Sequence, residues 1–332
     1  MTIKISEKLF KGIYKWLFVI MIAFLPQFAF LGSYINNDSL ALFSISMIIY
    51  SWIFAYENKW NVKSCILLGT GIGICALSYY NAYGYILFSI IFFIASNIFL
   101  NNKFDFKDIL KKGVIIAGIA FLIAGWWFIR NAIIYNGDFL GLSTETEYSE
   151  MYAKPEFKPS ARKTPKREGK SLWQMISSMH WARMTYRSFI GLFGYMSILI
   201  PLFIYRDYFI LFVIGFIGFL FGFKELFIYN KEKNNDKNKI LMNFSFVGTI
   251  IIPIILSLYY SYTSDFQPQG RYIMPMLIPF MYFIVFGISK LLDKIVKNKI
   301  IKNILITILI GIIIYICLFC LIKVIIPFYN IL

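Results

Sequence analysis

The sequence predicts an all-α, polytopic membrane protein with about nine transmembrane helices, its N-terminus inside, and an external loop carrying an amphipathic surface helix between spans five and six. Three observations predict it. The 332 residues are 59% hydrophobic, 20% aromatic and only 15% charged, which is too apolar for a soluble globular domain. The apolar residues gather in runs of about 20, the length a helix needs to cross a hydrocarbon core of about 30 Å. The lysines fall between alternate runs, on what becomes one side of a nine-span arrangement, and the positive-inside bias makes that side cytoplasmic.

By run length the spans fall at residues 12–33, 39–56, 64–80, 83–100, 113–133, 207–226, 241–262, 271–290 and 302–326. The basic lead followed by a long apolar run reads as a retained first helix and lacks the short apolar core and small-residue cleavage site of a secretory signal. The cytoplasmic clusters are Lys4, Lys8, Lys11 and Lys15, then Lys59 and Lys63, then Lys103, Lys107, Lys111 and Lys112, then the segment 224–239, then 290–302. The opposite side receives "SYINNDS" (33–39), "YYNAYG" (79–84), the long region 134–206, and "YTSDFQPQGR" (262–271). No internal repeat and no boundary other than the long loop is visible, so residues 1–332 read as one membrane domain.

The external region 134–206 divides into three. Its polar part, "STETEYSEMYAKPEFKPSARKTPKREGK", rich in lysine and proline, reads as a mobile loop. In "SLWQMISSMHWARMTYR", Leu172, Met175, Ile176, Met179 and Ala182 recur at helical spacing, which predicts one amphipathic helix on the membrane surface with Trp173 and Trp181 in the headgroup layer. The apolar "FIGLFGYMSILIPLFIY" follows, and Gly191, Gly194 and Pro201 make it a broken segment at the outer leaflet.

Several chemistries are excluded or disfavoured. His180 is the only histidine, so a multi-histidine metal site cannot be built from this chain. Nucleotide-binding loops are absent, and the glycines of "GTGIGICALS" are explained by close helix packing. Cys65, Cys75, Cys317 and Cys320 lie in or beside apolar runs as packing residues, the CxxC at 317–320 included. The net charge of +16 follows from topology, and scattered lysines match no nucleic-acid module. No cofactor is implied, and a divalent metal requirement is not readable.

Three external stretches exceed what solubility demands. In "DFQPQGRYIMP", Arg271 is an external cation at a span start, against the positive-inside bias, with Gly270 allowing close backbone approach; Gln269 and Tyr272 flank it, and Asp265 lies in the same loop. A snorkelling anchor is the simpler alternative. In "GWWFIRNAIIYNGDFLG", Arg130 and Asn131 sit near the outer end of span five with Asp138 beyond them; an aromatic belt with a snorkelling arginine is the alternative. In "LPQFAFLGSYINNDS", Asp38 is a candidate carboxylate or the N-cap of the next helix.

With "LPQFAFLGSYINNDSLAL", "LLGTGIGICALS", "GWWFIRNAIIYNGDFLG", "GLFGYMSILIP" and "QGRYIMPMLIPF" in that order over most of its length, the chain resembles a bacterial branch of the GT-C membrane glycosyltransferase superfamily. The resemblance implies transfer of a sugar from a polyprenyl-phosphate carrier to a cell-envelope acceptor at the outer face of the cell membrane. It implies Arg271 and Arg130 as phosphate clamps, with Asn131, Asp138, Gln269 and Tyr272 as substrate-binding residues beside them, and a carboxylate as general base; Asp38, which does not inherit that role by position, and Asp265 are the candidates this chain itself offers. The acidic loop that follows the first span in that superfamily has no counterpart and the chain starts at what resembles a later family helix, so it is expected to be a truncated, split or degenerate member or to have a misassigned start; in the split case a separate chain supplies the missing helices. An inactive, carrier-binding or transport component is the alternative that this departure leaves open.

Overall fold

The computed structural model describes residues 1–101, 103–228 and 237–330, and most of them are helical. Residues 229–236, half of the lysine-rich segment 224–239 expected on the cytoplasmic side, lie outside the described residues. Seven helices among the described residues are long and apolar enough to cross a membrane, namely Asn37–Glu57, Tyr80–Asn101, Phe106–Ile134, Leu202–Phe227, Lys237–Thr263, Gly270–Ile295 and Lys299–Tyr329. Tyr14–Ala23 and Val62–Ser78 are apolar but shorter.

The first expected span is broken. Helix α1, Thr2–Leu9, occupies the basic lead and buries Ile5 and Ser6; α2, Tyr14–Ala23, then gives way to α3, Pro26–Leu31. Pro26 is the cause: it has no N–H to donate to the preceding turn, and it suits the first position of a new helix. Helix α4, Asn37–Glu57, and α5, Val62–Ser78, begin at asparagine caps, where Asn36 and Asn61 accept from the backbone N–H of Ser39 and Ser64. Such caps satisfy otherwise orphaned helix-start N–H groups. Helices α6, Gly84–Asn101, and α7, Phe106–Ile134, follow, the latter capped by Asp105.

The loop expected to be mobile is ordered. Its acidic part forms α8, Leu142–Tyr152. Its basic part is laced together by Arg167, whose Nη1 donates to the carbonyls of Pro159, Ser160 and Arg162, and by Glu150, which accepts from the N–H of Ser160. Lys166 N donates to Tyr262 O and Tyr262 Oη to Lys170 O, which docks the loop on the bundle.

The expected single surface helix is two, α9, Leu172–Ser177, and α10, Trp181–Gly191, separated at His180 with φ +58°. That kink turns Trp181 inward, where its Nε1 donates to Ser261 Oγ, whereas Trp173 stays exposed. The segment expected at the outer leaflet folds as a small hairpin, β1 Leu192–Phe193 against β2 Ile198–Leu199 in antiparallel register, with Gly194 and Met196 at positive φ in its turn. Helices α11, Leu202–Phe227, α12, Lys237–Thr263, α13, Leu277–Ile295, and α14, Lys299–Phe319, complete the bundle. Beyond α14 a π-helical turn, Cys320–Ile325, leads to α15, Ile326–Asn330; the wider turn accommodates Pro327, which cannot donate to the residue four back.

Helix α13 lies at the centre, buried along most of its length. It packs closest on α11, where a Cβ on Gly218 would lie 1.9 Å from Gly287 O, so only glycine lets the two backbones approach. Gly69 and Gly73 face α7 and Gly71 faces α4, as the packing reading of "GTGIGICALS" expects. Buried tryptophans bind the α4 end to α6, Trp52 Nε1 donating to Ser89 Oγ at 3.0 Å and Trp60 Nε1 to Ser96 Oγ at 2.7 Å. Such hydrogen bonds hold helices together where lipid offers no hydrophobic drive between them. The cysteines are free, with Cys65, Cys75 and Cys320 buried.

Candidate functional site

Three loop ends meet at one end of the bundle: residues 33–39 before α4, the turn 79–84 between α5 and α6, and the segment 265–276 before α13. The 3-10 turn Gly270–Met276 places Arg271 here. A Cβ on Gly270 would lie 2.1 Å from Phe189 N, so the glycine lets α10 lie directly on this turn. Tyr85 Oη, from α6, donates to Pro275 O at 2.8 Å, and Asn81 Nδ2, from the turn before α6, to Tyr272 O at 3.1 Å, and the two anchor the segment that carries Arg271.

At this junction Arg271 Nε faces Asp38 Oδ2 at 3.7 Å. The Asp38 side chain is 2% exposed and that of Arg271 36%. The separation is too long for a hydrogen bond, and both facing atoms are buried without a partner. Asp38 is not the helix cap: Asn36 holds that position, with its Oδ1 accepting from Ser39 N at 3.0 Å and its Nδ2 donating to Leu31 O at 2.7 Å. Asp38, in the first turn of α4, gains from the helix dipole and is free to face inward.

Tyrosines surround the pair. The guanidinium of Arg271 lies over the Tyr272 ring at 5.4 Å, and Tyr79 stacks on Tyr272 from the other loop with centroids 6.4 Å apart. Burial pushes the phenols of Tyr34 and Tyr79 up from the usual range, and the neighbouring Asp38 carboxylate adds to this while Arg271 opposes it. From Tyr272 a polar chain runs outward. Tyr272 Oη donates to Gln267 Oε1, Gln267 Nε2 donates to Asp265 Oδ2 at 2.6 Å, and Asp265 meets Arg162 at 3.8 Å.

The expected residues therefore divide. Asp38, Asp265, Arg271 and Tyr272 come together, and Gln269 contributes a backbone N–H to Gln267 O. Arg130, Asn131 and Asp138 form a separate group at the end of α7. Arg130 is exposed, stacks over Trp127 at 5.2 Å and donates to Asn131 Oδ1. Asn131, 2% exposed, donates to Phe139 O at 3.4 Å. Asp138 accepts from the N–H groups of Gly141 and Thr144 and from Thr144 Oγ1, starting α8, and these donors hold its carboxyl below the usual carboxylate range. Tyr34, Tyr79, Asn81, Gln267 and Arg162 were not expected from the sequence; the tyrosines and Asn81 stand in stretches legible only as turns.

Among the described residues no group of three or more His, Cys, Asp and Glu side chains converges as a metal site. The junction offers a half-exposed cation, two carboxylates and a wall of phenols, a combination suited to a phosphate bearing a polar, ring-shaped group. Comparison of the chain with profiles of known protein families, with curated proteins and with solved structures finds no match in any of the three.

Proposed function

We propose that this chain is a nine-span protein of the cell membrane, N-terminus inside, that binds a polyprenyl-phosphate-linked sugar at the outer end of its bundle and transfers the sugar in the manner of GT-C glycosyltransferases. The observation that carries this reading is the Arg271–Asp38 pair, two charges held face to face with both facing atoms unpartnered. Unsatisfied buried polar groups are costly, by about 1–3 kcal/mol each, and persist where a ligand completes them. The two shorter helices, α2 with α3 and α5, complete the count of nine, and the ends that carry Lys8–Glu57 and Lys290–Glu225 are the cytoplasmic ones.

In this reading Arg271 binds the carrier phosphate and Tyr272 and Tyr79 pack on the sugar ring. An acceptor hydroxyl loses its proton to a carboxylate and its oxygen bonds to the anomeric carbon. The bond from that carbon to the phosphate oxygen breaks, and the charge left on the polyprenyl phosphate is neutralised by Arg271. Asp38 and Asp265 are the two carboxylates available for the proton.

A second reading, carrier binding without transfer, is favoured by the burial of Asp38, since a carboxylate 2% exposed and turned toward Arg271 does not face an acceptor. Membranes carrying the protein, given a radiolabelled polyprenyl-phosphate sugar, separate the two. Turnover lost in Arg271→Ala and in one of Asp38→Asn and Asp265→Asn supports transfer. Binding without turnover, lost in Arg271→Ala, supports the carrier-binding reading. Neither binding nor turnover by the parent protein overturns both.

A further inference from the structure

A cleft of about 580 Å³ opens at the end of the bundle opposite Arg271, the cytoplasmic end in the orientation proposed above. Helices α1, α4, α11, α12 and α13 all contribute to its walls, and both polar and apolar side chains line it. Polar surface inside a membrane bundle faces water or a ligand, because lipid cannot satisfy it.

The floor is made by Asn243, 3% exposed, and Tyr282, 6% exposed. Asn243 Nδ2 donates to Leu226 O at 2.8 Å, and Tyr282 Oη donates to Asn243 Oδ1 at 3.1 Å. These bonds stitch α11, α12 and α13 together, and that alone accounts for an amide at this depth. The rim is not accounted for in the same way.

Two of the rim charges are balanced: Lys8 Nζ meets Glu57 Oε2 at 2.6 Å, and Lys290 pairs with Glu225. Lys239 is exposed and has no ion pair, hydrogen bond or ring contact among the described residues. It stands in the first turn of α12, which holds no acidic residue and where the helix dipole disfavours a cation and favours an anion. Topology explains a lysine near this end of α12, but not one that lines a cleft. Lys239 and Asn243 are four residues apart, so they stand one above the other on the lining face of α12, about 6 Å apart along its axis.

The same lining holds an acceptor and a ring. Glu57 binds Lys8 through Oε2, and its Oε1 takes no hydrogen bond among the described residues. Phe286 supplies an aromatic wall. An unpaired ammonium takes a phosphate, a carboxylate oxygen takes hydroxyl donors, and an aromatic face takes the apolar face of a sugar ring. The volume suits one small molecule.

We infer that this cleft binds a phosphorylated sugar, with its phosphate on Lys239, a ring hydroxyl donating to Glu57 Oε1, and its ring between Phe286 and the Asn243 floor. A free sugar phosphate and the sugar-phosphate part of a nucleotide share this chemistry. The site is separated from Asp38 by the length of α4, Asn37–Glu57, so it stands whether or not the carrier reading does.

Calorimetric titration of the purified full chain in detergent with glucose 1-phosphate, glucose, inorganic phosphate and uridine monophosphate tests it. The parent protein binds glucose 1-phosphate at least about tenfold more tightly than glucose or inorganic phosphate, since neither of these engages the cation and the hydroxyl acceptor together. Lys239→Gln, a change at an exposed position, weakens glucose 1-phosphate by about tenfold and leaves glucose unaffected. Ile240→Trp, at a half-buried lining position, fills the cleft and abolishes binding with the thermal midpoint unchanged. Tighter binding of uridine monophosphate than of glucose 1-phosphate identifies a nucleotide as the source of the sugar phosphate, and weaker binding a free one. No binding of glucose 1-phosphate, inorganic phosphate bound as tightly, or binding unaffected by both substitutions overturns the inference. So does displacement of glucose 1-phosphate by a lower concentration of short-chain phosphatidylglycerol, which would give the cleft to a lipid. Arg271→Ala leaves glucose 1-phosphate binding unchanged, so failure here is told from failure at the other end of the bundle.

Discussion

The two ends that sequence reasoning singled out, Arg271 with Asp38 and Arg130 with Asn131 and Asp138, use the same residue types and differ in how completely they are satisfied. At the end of α7 Asn131 and Asp138 are spent on their neighbours: Asn131 bridges Arg130 to the carbonyl of Phe139, and Asp138 starts α8. At the junction before α13 a carboxylate and a guanidinium face each other with atoms left over. Arg, Asn and Asp near a membrane surface thus mark a site only where the fold withholds partners from them. The polar groups at the α7 end are satisfied within the fold, and those at the junction are not.

Arg271→Ala is the sharpest test of that difference. It leaves Asp38 as a buried carboxylate without a countercharge, at a cost of about 3–5 kcal/mol, read as a fall in denaturation midpoint in detergent. Asp38→Asn costs less, because Arg271 at 36% side-chain exposure can turn to water. The double variant recovers a large part of the loss, since neither charge is then stranded. Equal and additive single effects would show that the two charges are not coupled and would break the comparison.

Asn131→Ala comes next. It strands the Phe139 carbonyl and frees the Arg130 guanidinium, for a loss of about 1–3 kcal/mol. Carrier binding, measured with the same radiolabelled donor, stays unchanged, whereas loss of binding without loss of stability would move the α7 end back into the site. Arg130→Gln, at an exposed position, changes stability by no more than about 0.5 kcal/mol.

Much of this was legible in the sequence. Helix lengths and most boundaries follow from apolar runs bounded by asparagine, glycine and lysine, and Pro26 marks the break that run length alone passes over. The His180 kink was not legible, because the apolar spacing from Leu172 to Ala182 continues across it and only the burial of Trp181 against Ser261 selects two helices. Order in the 154–170 loop was hidden for a similar reason: its composition is that of a solvated linker, and its folding depends on Arg167 finding three carbonyls at once. Arg271 was visible as a charge in the wrong place, but its pairing with Asp38 arises from how α4 packs beside the turn before α13, a long-range fact that local pattern does not carry.

The smallest predicted effect concerns Asp138, and it sharpens the comparison from the satisfied side. Its carboxyl is held below the ordinary range by the Thr144 and Gly141 N–H groups, so the folded start of α8 binds a proton less readily than the unfolded segment does. The stabilisation is therefore fully present above the ordinary carboxylate pKa and is lost as pH falls through the lowered value. Hydrogen exchange at the amides of Gly141 and Thr144, corrected for intrinsic rate, should stay slow down to the ordinary carboxylate range and quicken below it, while Asp138→Asn should show fast exchange with no pH step. If the step is absent from the parent protein, Asp138 is not the acceptor that begins α8. Its carboxylate would then be free in the way that the one at the junction is, and the line drawn between the two ends would have to move.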